Sequence, residues 1–235
     1  MVEKMNLTSK QRTIFEIIVV LSTMLLVKDI ADRFNVIGAG SIAMWSGIFA
    51  ATFFMKKQSI SWKDRGLGLP NNVKDWLKSI GLALLVVVLV IAFMAIVPIV
   101  ASAFGFSIPE SSTDRFEFML GNTVYFAAYL LIVIWIGAAV GEELLMRGFL
   151  LNNLMSLFGQ SKIGVVAAVV FHAIIFGMLH ISQGIPGIIG TGGVAIIFAI
   201  MYLLNSRKLF PLIIAHGLIN SISLTAYFLS DGKIT

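Results

Sequence analysis

The sequence contains no cysteine, which removes disulfide frameworks and thiolate chemistry from consideration. Charge is scarce too: only 12% of the 235 residues are Asp, Glu, Lys or Arg, against about 25% in soluble domains. No internal repeat, low-complexity tract or second soluble domain interrupts the chain. No small-residue cleavage site follows the first apolar block. Lys28, Asp29, Asp32 and Arg33 come there instead, so that block reads as a retained helix and not a signal peptide. Alternation of apolar and polar residues is missing as well, which excludes a membrane β-barrel.

What is abundant is continuous apolar sequence. Hydrophobic residues make up 58% of the chain. They gather into Ile14–Val27, Val36–Met55, Ile80–Phe104, Thr123–Val140, Gly164–Leu179, Ile185–Leu204 and Leu209–Leu229. A helix needs about 20 apolar residues to cross a bilayer. Most blocks reach that length, the first and fifth only with their flanks. The expectation is one all-α integral membrane domain, 1–235: a polytopic transmembrane helical bundle of about seven helices, with an eighth if Leu144–Phe158 enters the membrane.

Charge sets the orientation. The connection Lys56–Lys78 carries Lys56, Lys57, Lys63, Arg65, Lys74 and Lys78 against Asp64 and Asp75. The next one carries Glu110, Asp114 and Glu117 against Arg115 alone. Lys and Arg favour the cytosolic side, so the N-terminus, with Glu3 and Lys4, is expected inside. Seven crossings would put Arg147, Lys162, Arg207 and Lys208 inside and the C-terminus outside. The net charge of +5 reflects these loops and implies no nucleic-acid partner. Trp62 and Trp76 suit an interfacial position. Pro98 is expected to kink its helix, and Gly187, Gly190 and Gly193 to admit a close helical neighbour.

Three polar clusters stand where lipid-facing sequence would exclude them, since a mid-membrane charge costs at least about 2.5–3.5 kcal/mol. The first is Gly141-Glu142-Glu143-Leu144-Leu145-Met146-Arg147. Glu143 and Arg147, at i and i+4, can pair on one helical face. Glu142 is turned about 100° away and left for another surface. The second cluster is His180, with Phe176 one turn before it. The third is His216 with Asn220 at i+4. His172 has no companion and reads as packing.

Together, Glu142-Glu143-x-x-x-Arg147, Phe176-x-x-x-His180 and His216-x-x-x-Asn220 resemble the three-motif signature of the CPBP family. These are the CAAX-protease and bacteriocin-processing (Abi) intramembrane proteases, among them the type II CAAX prenyl endopeptidases. The resemblance extends over Trp62 to Leu229, including Gly66-Leu67-Gly68-Leu69. It divides the chain into two N-terminal helices, 1–60, and a protease-like core, 61–235. It implies that Glu142 is the catalytic glutamate, His180 the histidine that activates water, and His216 with Asn220 the second pair, supported by Glu143 and Arg147. Peptide hydrolysis needs a base for water, an acid for the leaving amine and donors for the oxyanion, and these residue types supply them.

Two alternatives accompany this reading. Zinc held by Glu142, His180 and His216 would leave an open position for water. The usual His-Glu-x-x-His motif is absent, however, so a reaction without cofactor is preferred. A proton- or ion-coupled transporter could use the same residues, although no repeat marks two halves. The expected partners are the bilayer and a peptide or membrane-protein substrate; the short loops and compact length suggest a bacterial cytoplasmic membrane. One tension remains within the reading itself. If the fifth block starts inside at Lys162, His180 falls near the far face, while Glu142 and His216 fall nearer the inner one.

Overall fold

The computed structural model describes residues 8–106 and 114–232. Glu3, Lys4 and Glu110 of the charge argument lie outside the described residues. Among the described residues seven helices account for the fold and there is no strand.

Helix α1, Ser9–Arg33, opens with a capping box in which Thr8 Oγ1 accepts the Gln11 amide and Gln11 Oε1 accepts that of Thr8. This satisfies two N–H groups that the helix itself cannot bond. Helix α2 is Ala39–Lys57. Helix α3, Val73–Ala103, is capped by Asn72 and continues past Pro98 for its full 31 residues. Helix α4 runs Thr123–Phe158, capped by Asn122, and its middle, Tyr129–Leu151, is π-helical. Helix α5, Lys162–Met178, starts on Ser161. A short 3₁₀ turn, Ile181–Gln183, leads into α6, Gly184–Leu204. Helix α7 is Phe210–Leu229.

Among the described residues, four helices are long and apolar enough to cross a bilayer: α3, α4, α6 with its leading turn, and α7. Helix α5 is apolar but shorter. The eighth segment allowed for at Leu144–Phe158 is the continuation of α4, not a helix of its own. That continuation relieves the depth conflict. The turn into α5 comes at Phe158–Ser161, 11 residues beyond Arg147, or roughly 16 Å at the α-helical rise. Arg147, expected at the inner boundary, is therefore inside the bundle at 1% exposure. Helix α5 must retrace that length before it reaches Phe176 and His180.

The larger apolar core runs from Ile17 in α1 to Ala215 in α7, and a smaller one gathers Met119, Ile134 and Leu224. Helix α1 packs on α2, α2 on α4, α4 on α7, and α3 on both α6 and α7, while α5 and α6 form a tight hairpin. The outer faces are also apolar: Leu84, Val88 and Ile91 on α3, and Ile163, Val166 and Ile174 on α5, are exposed. In water this would be a severe liability; in hydrocarbon it is the required solvent face. The chain is an integral membrane protein.

The glycine row behaves in part as expected. A Cβ at Gly193 would lie 2.1 Å from the Phe93 ring, and one at Gly190 would lie 3.2 Å from Met94, so α3 does approach α6 there. Gly187 instead makes room for Gln183 of its own preceding turn. Trp62 is turned inward, its Nε1 donating to Thr52 Oγ1 at 2.9 Å and its ring lying over Gly148. Trp76 stays half-exposed, edge-on to Phe210.

Candidate active site

The first cluster sits in the π-helical part of α4. Such winding is uncommon and frequently marks functional sites. It closes i to i+5, so each residue turns by less than the 100° of an α-helix. Glu143 and Arg147 still meet, with Arg147 Nη1 donating to Glu143 Oε1 at 2.9 Å, both side chains fully buried. The guanidinium is stacked between two rings, its carbon 5.1 Å from the Phe176 centroid and 4.8 Å from that of Phe198. Among the described residues, Arg147 Nε and Nη2, and Glu143 Oε2, have no hydrogen-bond partner. Aromatic faces take the place of water for a charge that could not otherwise lie in an apolar core.

Helix α7 brings the third cluster to the same point. His216 Nδ1 lies 2.8 Å from Glu143 Oε1, the oxygen that also accepts from Arg147. A carboxylate oxygen only accepts, so Nδ1 carries the proton and Nε2 faces outward. Across the ring, Nε2 lies 3.9 Å from Glu142 Oε2. His216 is thus bracketed by the two adjacent glutamates, one on each nitrogen. Phe198 packs edge-on against the imidazole at 5.8 Å. On its other side the adjacent Gly217 has no room for a Cβ, which would come 2.5 Å from the Trp135 ring.

His180 falls just past the end of α5. Its Nδ1 donates to the Phe176 carbonyl oxygen at 2.9 Å, and its ring lies 4.8 Å from that of Phe176. Because a carbonyl cannot donate, Nε2 is the nitrogen left for chemistry. Phe176 therefore touches both Arg147 and His180, joining the second cluster to the first. Among the described residues no hydrogen bond or ion pair joins Glu142 to His180. Asn220, one turn beyond His216, is partly buried and makes no side-chain hydrogen bond among the described residues. His172 is fully buried against Phe176, with neither ring nitrogen bonded.

The donor geometry bears on the zinc alternative. Of the proposed ligands, Glu142 Oε2 and His216 Nε2 face each other at 3.9 Å, whereas His180 is bonded to Phe176. Among the described residues no three His, Asp or Glu side chains form a group that could hold a metal.

Sequence reasoning missed three features. Phe198 and Trp135 carry no polar signal and look like any core aromatic, yet they fix Arg147 and His216. Glu16, in α1, is buried and bonded by Gln58 Nε2 at 2.9 and 3.0 Å. A carboxylate within the first apolar block was the available clue to it. Asn152 was also overlooked: its Nδ2 reaches the Arg147 and Gly148 carbonyls and Tyr202 Oη, closing the end of the π-helical segment.

Residues 124–222 match the family described as Rce1-like: type II CAAX prenyl endopeptidase Rce1-like. That stretch, less than half of the chain, is similar to a CAAX-type endopeptidase domain. The match is shorter than the stretch from Trp62 to Leu229 that the motifs suggested, but it contains Glu142, Glu143, Arg147, Phe176, His180, His216 and Asn220. No curated protein and no solved structure matches the chain.

Proposed function

We propose that this chain is an intramembrane endopeptidase that cleaves a membrane-associated peptide or protein with water activated by Glu142 and His180, without a metal. The observation that carries this is the bracketing of His216 by Glu142 and Glu143 at the centre of an apolar bundle, where each unshared charge is costly.

Glu142 takes a proton from water as the water oxygen bonds to the scissile carbonyl carbon. His180 Nε2, freed by the Nδ1 bond to Phe176, accepts from the same water or orients it. The carbonyl oxygen becomes an oxyanion, and the Asn220 amide is its fixed donor, joined by His216 Nε2 in the imidazolium form. The carbon–nitrogen bond then breaks, and the proton held by Glu142 passes to the leaving amine. Glu143 positions His216, and Arg147 balances the charge of Glu143. The basic stretch Lys56–Lys78 supports an N-terminus on the cytosolic side.

The test is cleavage of membrane-associated peptides by purified protein in detergent, comparing the wild type with Glu142→Ala and His180→Ala. Both variants should lose activity, and unchanged cleavage in either would sink the mechanism. Activity abolished by a chelator and restored by zinc would overturn the metal-free form. Glu142-dependent uptake by proteoliposomes, without cleavage, would favour a carrier.

A further inference from the structure

At one end of the bundle, away from the buried site, the loop after α2 folds against the loop between α6 and α7. Gly66 makes this contact. A Cβ there would lie 1.8 Å from the Arg207 carbonyl oxygen, and Gly66 O accepts the Leu209 amide at 3.0 Å. Between the loops lies a cleft of about 330 Å³ lined by Lys63, Arg207 and Lys208, among others.

The charges in this cleft are unevenly satisfied. Asp64 and Asp75 also line it, but both are held in local turns: Asp64 by the Ser61 amide and hydroxyl, Asp75 by the Asn72 side chain. Bonding from Ser61 keeps the Asp64 carboxyl below its ordinary pKa. Among the described residues Lys63, Lys208 and Arg207 form no ion pair with any carboxylate. Arg207 spends its guanidinium on the neutral oxygens of Asn152 and Gln160, so its charge stays uncompensated. Phe210 and Pro211, at the start of α7, also line the cleft, and that helix has no side-chain cap. Its positive end therefore adds to the same field.

The surroundings indicate what kind of anion fits. Leu67 and Leu69 in the cleft wall are exposed, and the half-exposed Trp76 packs edge-on to the cleft residue Phe210. Ser79 lines the cleft, and the unbroken apolar run of α3 begins one residue later. The cations thus stand at the level where a lipid phosphate lies, with an apolar flank for its acyl chains. We propose that this cleft binds the phosphate headgroup of an anionic phospholipid, a site separate from the peptidase chemistry.

Full-length protein in mild detergent, offered phosphatidylglycerol and phosphatidylcholine with identical chains, should retain the anionic lipid preferentially in native mass spectrometry. Replacing Lys63 and Lys208 by Gln together should weaken that preference by about five-fold for each lysine. Lys56→Gln with Lys57→Gln, basic positions outside the cleft, should leave it intact. Equal retention of the two lipids, or equal loss in both double variants, would overturn the proposal. Displacement of the lipid by millimolar inorganic phosphate would overturn it too, because the cleft would then be a site for free phosphate.

Discussion

His216 Nδ1 and Glu143 Oε1 are 2.8 Å apart, joining the last helix to the π-helical part of α4. This bond fixes which imidazole nitrogen is turned toward Glu142. An amide in place of the carboxylate can present its NH₂ to Nδ1 and reverse the tautomer. Glu143→Gln is therefore expected to lower kcat by about 10²–10⁴, the usual worth of a positioned acid–base group. Its effect should not add to that of His216→Ala, since the two residues act as one unit. Steady-state kinetics on the two single variants and the double variant measure this, and additive losses would separate the residues.

The Glu143–Arg147 pair has a distinct stability signature. Removing one member of a buried pair strands the other, so Arg147→Met should destabilise the protein by about 3–5 kcal/mol. Glu143→Gln combined with Arg147→Met leaves no buried charge and should recover part of that loss. Unfolding in mixed detergents, followed by tryptophan fluorescence, gives both numbers. A double variant less stable than Arg147→Met alone would refute the idea.

His172 makes the opposite case. Its two ring nitrogens are buried without partners, and an unsatisfied buried polar group costs about 1–3 kcal/mol. His172→Phe should therefore be neutral or stabilising, and cleavage should remain within about two-fold of wild type. A large loss of activity at unchanged stability would give His172 a role in the reaction that its packing does not show.

The polar residues of the candidate site stood out in the sequence because hydrocarbon makes each of them costly, and the pairing of Glu143 with Arg147 could be read from spacing alone. The link between His216 and Glu143 was not legible, since it spans 73 positions and depends on how α7 lies against α4. Arg147 was expected at a boundary because a charge usually ends an apolar run. Phe176 and Phe198 overrode that expectation by enclosing it, and an aromatic residue gives no sequence sign of facing a cation. The helical bundle was legible from apolar block length, whereas the continuation of α4 to Phe158 was not. Leu144–Phe158 is apolar enough to be read either as a separate segment or as the tail of the preceding one.

Gly177 lies between Phe176 and His180 on α5, where a Cβ would come 2.6 Å from the Ile188 carbonyl oxygen of α6. That obstacle is backbone and cannot rotate away, so Gly177→Ala must push the α5–α6 hairpin apart. Overpacking of this kind costs about 1–3 kcal/mol. The same displacement carries Phe176 away from Arg147 and swings His180, so cleavage should fall further than the stability loss alone would cause. Gly81→Ala in α3, with nothing within 4 Å of its Cβ, serves as the comparison. It should stabilise the helix by roughly 0.5–1 kcal/mol and leave cleavage unchanged. If Gly177→Ala cleaves peptide at the wild-type rate, the close approach of α5 to α6 does not place His180.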